Sequence, residues 1–167
     1  MTYKYFLTGV MAVTLLGMTT ALNAGTLKTS NTIRLEDDAN SVVVNRKMQM
    51  EVQGYSSRVL YAIYTGKLDL REDVVYLANQ MHEATKRFER AFRQNTTGEK
   101  TRTKTRALEK IWQDWDGFMV AVKDYEQATA RVAELANAGD IDGALEANMA
   151  VLNKCAGCHD VYRDPQR

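Results

Sequence analysis

Eight residues from the C-terminus the chain reads Cys155-Ala156-Gly157-Cys158-His159. Two thiols and an imidazole in the order C-x-x-C-H suit covalent attachment of haem: each thiol adds across a vinyl group, and the adjacent imidazole takes the iron. On a helix Cys155 lies three residues from Cys158 and four from His159, so all three side chains leave from one face. The 167 residues contain no other cysteine. A disulfide framework, a four-cysteine zinc site or an iron–sulfur cluster would each need more thiols. Two other chemistries stay open on the motif alone. A thioredoxin-like redox pair needs its cysteines at a helix start within a βαβ unit, an alternation the sequence does not display. Zinc held by Cys155, Cys158, His159 and the only other histidine, His82, would require the adjacent Cys158 and His159 to serve one tetrahedral centre. The motif therefore predicts one haem c, with its iron, per chain.

The length suits one domain with a sizeable core, and a formal charge of +1 leaves no footprint for nucleic acid. The single proline is Pro165, and apolar residues recur at helical spacing, which predicts an all-α protein. Residues 1–24 read as a signal peptide, with Lys4 in a polar start, an apolar run over 5–18 and cleavage after Ala24. A membrane anchor is the alternative, but Thr8, Gly9, Thr14 and Gly17 interrupt the run, which falls short of about 18 strongly apolar residues. The expectation is a periplasmic protein with no stable membrane insertion once the signal is removed.

Residues 25–39 form a polar N-terminal arm, and 40–167 are expected to form one antiparallel up-down four-helix bundle with covalently bound haem c. A first helix over 40–65 carries Val44, Met48, Val52, Tyr55, Val59 and Ile63 on one stripe and Arg46, Met50, Gly54, Ser57 and Tyr61 on a second face, closed by Gly66. A second helix spans 70–94, with Val74, Leu77, Met81, Phe88 and Phe92 among its inward residues. His82 stands one step off that stripe as an ordinary, partly exposed histidine. After a polar loop, a third helix runs over 106–137, and Ala138-Gly139-Asp140 supplies a C-cap glycine followed by an N-cap aspartate. The fourth helix, 141–162, carries the C-x-x-C-H motif on its last turns.

A haem fixed to one helix needs its other face covered. Met50, with the small residues Gly54 and Ser57 on the same face, is a candidate for that position, and ordinary core packing is the competing account. Arg46, one turn before Met50, has the reach to pair with a propionate, or else points to solvent. Arg163, one turn after His159, either shields the iron ligand or stabilises the helix C-terminus.

At these residues the sequence resembles cytochrome c′ and its low-spin relatives, a family of exported four-helix-bundle haem proteins. Cys155-Ala-Gly-Cys158-His159-Asp160-Val-Tyr162-Arg163 is similar to the family's C-terminal signature. Arg46 and Met50 followed by Thr65-Gly66 resemble its first helix. Thr105-Arg106-Ala107, Ile111-Trp112 and Phe118 resemble the start of its third, with Glu109 where a proline is typical. The resemblance implies that Cys155 and Cys158 hold the haem, that His159 is the proximal ligand, and that Arg46, Thr105 and Arg106 contact the propionates. It also implies a homodimer through the first two helices, for which Val42, Val43, Leu60 and Tyr64 offer extra apolar surface.

Two functions follow as expectations. One is electron transfer with periplasmic redox partner proteins, with Met50 closing the sixth iron position. The other is binding of nitric oxide or carbon monoxide at a five-coordinate iron, with Met50 as steric gate. A carrier and not an enzyme is expected, since His82 is the only spare histidine for a peroxidase.

Overall fold

The computed structural model describes residues 38–98 and 101–165. The expected signal peptide and all but the last two residues of the arm lie outside them. The described elements are α1 (Ala39–Tyr64), a 3-10 turn (Arg71–Asp73), α2 (Val74–Thr85), α3 (Phe88–Phe92), α4 (Lys110–Gln113), α5 (Trp115–Asn137) and α6 (Ile141–Tyr162). Among the described residues there is no strand, only an isolated antiparallel bridge between Ala107 and Arg163. Taken together, α2 with α3 and α4 with α5 complete four antiparallel rods, as the periodicity predicts, with α1 against α2 and α6, and α5 against α2 and α6.

Local chemistry sets the element ends. Asp38 caps α1 by accepting from the Ser41 amide at 2.7 Å. Gly66 reverses the chain at φ 71°, and the Lys67 amide reaches back to the Ala62 carbonyl at 2.8 Å. Gly139 at φ 82° followed by Asp140, which accepts from the Gly143 amide at 2.9 Å, makes the α5–α6 turn foreseen from the sequence.

Two of the expected long helices are broken. The second breaks after Thr85, whose hydroxyl donates to the His82 carbonyl at 2.6 Å and meets Thr129 at 3.4 Å. Such a back-bond from Thr to the preceding turn bends helices. The third does not begin at residue 106. Thr105 Oγ1 accepts from the Ala107 amide, the Leu108 amide donates to the Tyr162 carbonyl, and the Asp164 amide donates to the Arg106 carbonyl. The Ala107 amide is spent on Thr105 and the other two groups on the C-terminus of α6, so helical bonding starts only at Lys110 and is interrupted again at Asp114 (φ −125°, ψ 54°).

The expected inward stripe of α1 holds only at its C-terminal end, where Ile63 is buried and Val59 packs against the core. Val44, Met48, Val52 and Tyr55, read as the inward stripe, are exposed, Met48 at 58% and Tyr55 at 61%. Val42, Val43 and Leu60, read as spare surface, are buried in the core, and only Tyr64 of that set is exposed. The core-facing side of α1 is partly polar, with Arg46, Gln53, Ser56 and Ser57 buried beside Leu60 and Ile63. Each of Arg46, Gln53 and Ser57 finds a partner on another element, which lets a polar face point inward. Leu60 is fully buried, so Leu60→Ala is expected to cost about 2–5 kcal/mol of unfolding free energy, read from a shifted urea midpoint at unchanged slope.

Candidate haem site

The site begins with the last two turns of α6. Cys155, Cys158 and His159 are half-buried on one side, whereas Ala156, Gly157 and Asp160 are exposed. Both cysteines are free thiols packed against the core cluster. The end of α6 is held by the bonds to residues 106–108 and by the Tyr162 hydroxyl, which donates to Asp114 Oδ2 at 2.7 Å. The motif thus sits on a fixed helix end.

Burial raises the pKa of both thiols, that of Cys158 to about 11, so each remains S–H at neutral pH. Burial lowers the pKa of His159, assisted by the positive charges of Arg163 and Arg106, and keeps the imidazole neutral. A neutral imidazole is the form that binds iron, and zinc would require thiolates. Among the described residues no group of three or more His, Cys, Asp or Glu side chains stands where it could hold a metal ion, so the zinc cluster with His82 does not assemble. His82 is half-buried on α2, with Nδ1 3.3 Å from Thr129 Oγ1. The all-helical fold likewise has no place for a thioredoxin-like pair.

A buried link sets what faces the motif. Ser57 Oγ donates to Asn148 Oδ1 at 3.1 Å, and Asn148 Nδ2 returns a bond to the Ser57 carbonyl at 2.9 Å. The two helices run antiparallel, so stepping back along α1 matches stepping forward along α6. Two turns, about 10.5 Å, bring Met50 level with Cys155, and three turns bring Arg46 level with His159. Met50 is half-buried and packs against the same core cluster as both cysteines.

Arg46 is 3% exposed and far from a solvent-facing arginine. It donates through Nε to the Ala91 carbonyl at 2.6 Å, through Nη1 to Thr96 Oγ1 at 2.7 Å, and through Nη2 to the Gln94 carbonyl. Its Cζ lies over two rings, 5.2 Å from the Phe92 centroid and 5.0 Å from that of Trp112. These contacts occupy three of the five guanidinium donors, leaving two for an anionic group. Burial lowers its pKa to about 10, which still keeps the charge at neutral pH. Thr105 is exposed, and Arg106 donates through Nε to the Asp164 carbonyl at 2.8 Å. Arg163 Nη1 lies 3.4 Å from His159 Nδ1. Thr105, Arg106 and Arg163 therefore gather at the C-terminal end of α6, on the imidazole's side.

Sequence reading missed two residues of this site. Gln53, buried one turn beyond Met50, donates to the Met81 carbonyl at 3.0 Å and accepts from the Tyr125 hydroxyl at 2.7 Å. Tyr125 in turn stacks on Phe88 and neighbours Cys155. The available signal was a tyrosine inside an apolar stripe, which needs a buried partner for its hydroxyl. For Arg46, a lysine ammonium cannot reproduce a fork stacked between two rings. Arg46→Lys is expected to lower the unfolding free energy by about 2 kcal/mol, measured by chemical denaturation.

Two thiols and a neutral imidazole on one helix face, with a thioether level with them on the facing helix, fit a covalently bound haem. A family profile described as cytochrome c′ matches residues 41–163. The chain is 31% identical over 120 residues to cytochrome c′ of Pararhodospirillum photometricum, covering 71% of this chain and 93% of that protein. It shares its fold with cytochrome c prime from Shewanella frigidimarina at TM-score 0.68 and 23% identity, over 77% of this chain and 98% of that one. A nitric oxide complex of a cytochrome c prime variant from Alcaligenes xylosoxidans superposes at TM-score 0.66 and 18% identity, over 77% of this chain and 98% of the other. The helical bundle, the motif on its last turns and the match across 41–163 agree: this chain belongs to the cytochrome c′ family of c-type haem proteins, and its cofactor is haem c.

Proposed function

We propose that the protein is an exported haem carrier that takes up and gives up one electron in the periplasm, with weakly and transiently bound redox proteins as partners. The haem would supply a one-electron iron couple; the chain would hold it through Cys155 and Cys158, ligate it through His159 and cover it with Met50. The observation that carries this reading is the register of α1 on α6, which sets a flexible thioether level with the motif. Arg46 retains donors for a propionate, and Thr105, Arg106 and Arg163 would bear on the proximal side.

A second reading takes Met50 as a gate beside an open iron that binds nitric oxide or carbon monoxide. The nitric oxide complex solved for the Alcaligenes xylosoxidans protein favours it. Met50→Ala separates the two. If Met50 ligates, the wild-type absorption spectrum is low-spin and indifferent to carbon monoxide, and the variant becomes high-spin and reactive. A wild-type spectrum that is already high-spin and shifts with carbon monoxide overturns the carrier reading.

The exposed apolar stripe of α1 supports a homodimer, with Val44, Met48, Val52 and Tyr55 joined by Tyr76 of α2, itself 64% exposed. Sedimentation at micromolar concentration is expected to give a dimer for the wild type and a monomer for Met48→Glu/Tyr55→Glu. A monomeric wild type would remove the dimer.

A further inference from the structure

Besides Ser57 and Asn148, the bundle core holds another buried polar pair away from any helix end or turn. Gln53 is 3% exposed and Tyr125 6% exposed, and their side chains bridge α1 and α5 through the 2.7 Å bond from the Tyr125 hydroxyl to Gln53 Oε1. The Gln53 amide is aimed by its own bond to the Met81 carbonyl on α2. The Tyr125 ring is clamped against Phe88 with centroids 5.8 Å apart and planes within 2° of parallel. The Tyr125 side chain also neighbours Cys155, the first thiol of the haem motif, which packs against the core cluster that contains Tyr125. The stacking favours this ring position, and the amide oxygen takes the hydroxyl proton.

A hydroxyl has one proton and two lone pairs. With the proton committed to Gln53 Oε1, only the oxygen lone pairs, the negative end of the dipole, are left for the hydroxyl to present to Cys155 and the cofactor it would carry. Oxidation of a haem iron adds one positive charge inside a poorly polarisable core, where a fixed dipole acts strongly. A negative dipole end facing that charge stabilises the oxidised state.

We propose that Tyr125, aimed by Gln53, holds down the reduction potential of the haem in this chain. Tyr125 is the group whose dipole faces the cofactor's attachment point, and Gln53 is a positioning residue that acts through it. The inference deepens the carrier reading by naming what tunes its couple, yet a potential is measurable whether the iron is five- or six-coordinate. Failure of the carrier reading in the carbon monoxide test therefore leaves this proposal standing.

The test is a spectroscopic redox titration of the haem-loaded wild type, Tyr125→Phe, Gln53→Leu and the double variant, with urea unfolding in parallel. Tyr125→Phe keeps the ring and removes only the hydroxyl, and its midpoint is expected to rise. Gln53→Leu frees the hydroxyl to turn its proton toward the Cys155 sulfur, reversing the dipole, so its midpoint is expected to rise further than that of Tyr125→Phe. The double variant is expected to match Tyr125→Phe alone, because Gln53 has nothing left to aim. A Tyr125→Phe midpoint equal to or below wild type overturns the proposal, even if urea unfolding shows lost stability, since that pattern means a purely structural bond. A Gln53→Leu shift that is equally large when the Tyr125 hydroxyl has already been removed also overturns it.

Discussion

The contact on which the site depends is the reciprocal pair of hydrogen bonds between Ser57 and Asn148, fully inside the core. Apolar side chains packed between two helices tolerate sliding, because one turn of leucine resembles the next. A buried amide that must find a hydroxyl and a carbonyl does not tolerate it, since a missed bond leaves polar atoms unpaired at about 1–3 kcal/mol each. The pair therefore fixes the register of α1 on α6, and through it which α1 residue stands level with Cys155. The fork of Arg46 does the same work at the motif end, tying α1 to the Ala91 and Gln94 carbonyls that follow the break in the second rod.

Much of this was legible in the residues. The C-x-x-C-H spacing announced the chemistry, the Gly139-Asp140 turn placed the start of α6, and α6 spans the expected residues. The faces of α1 were not legible, for a definite reason. Its apolar residues occur on both sides, and periodicity alone cannot say which side meets the bundle and which meets another surface. The deciding facts were long-range: Gln53 and Ser57 have partners on α2, α5 and α6, whereas Val44, Met48 and Tyr55 are exposed. The break after Thr85 and the late start of α4 escaped for a related reason. Each depends on where a hydroxyl or amide is claimed by a segment distant in sequence, His82 and Thr129 in one case and Tyr162 to Asp164 in the other.

The polar inward face of α1 is unusual for a bundle helix, and it is consistent with an outward face that is apolar. If α1 also meets a second copy, as proposed, it has too few positions to make both interfaces purely apolar and still select one register on each. Satisfied polar groups on the intramolecular side supply register at modest net gain in stability, because their bonds mainly replace bonds to water. Among the described residues no buried side-chain nitrogen or oxygen lacks a partner, so this arrangement carries no desolvation penalty left unmatched.

A slip of α1 by one turn, about 5.4 Å, shows what that register protects. In one direction Gly54 would replace Met50 level with Cys155, removing the side chain proposed to cover the haem. In the other, Arg46 would arrive there, bringing a charged group toward the attachment point and withdrawing it from Phe92 and Trp112. Gln53 would lose the Tyr125 hydroxyl in either case. The position of Met50, the anchoring of the arginine and the bond of the tyrosine are thus set by one alignment. On the proposed roles of Met50 and Tyr125, a substitution at Asn148 that left the bundle folded would be felt first in the behaviour of the iron, well before it was felt in the amount of helix.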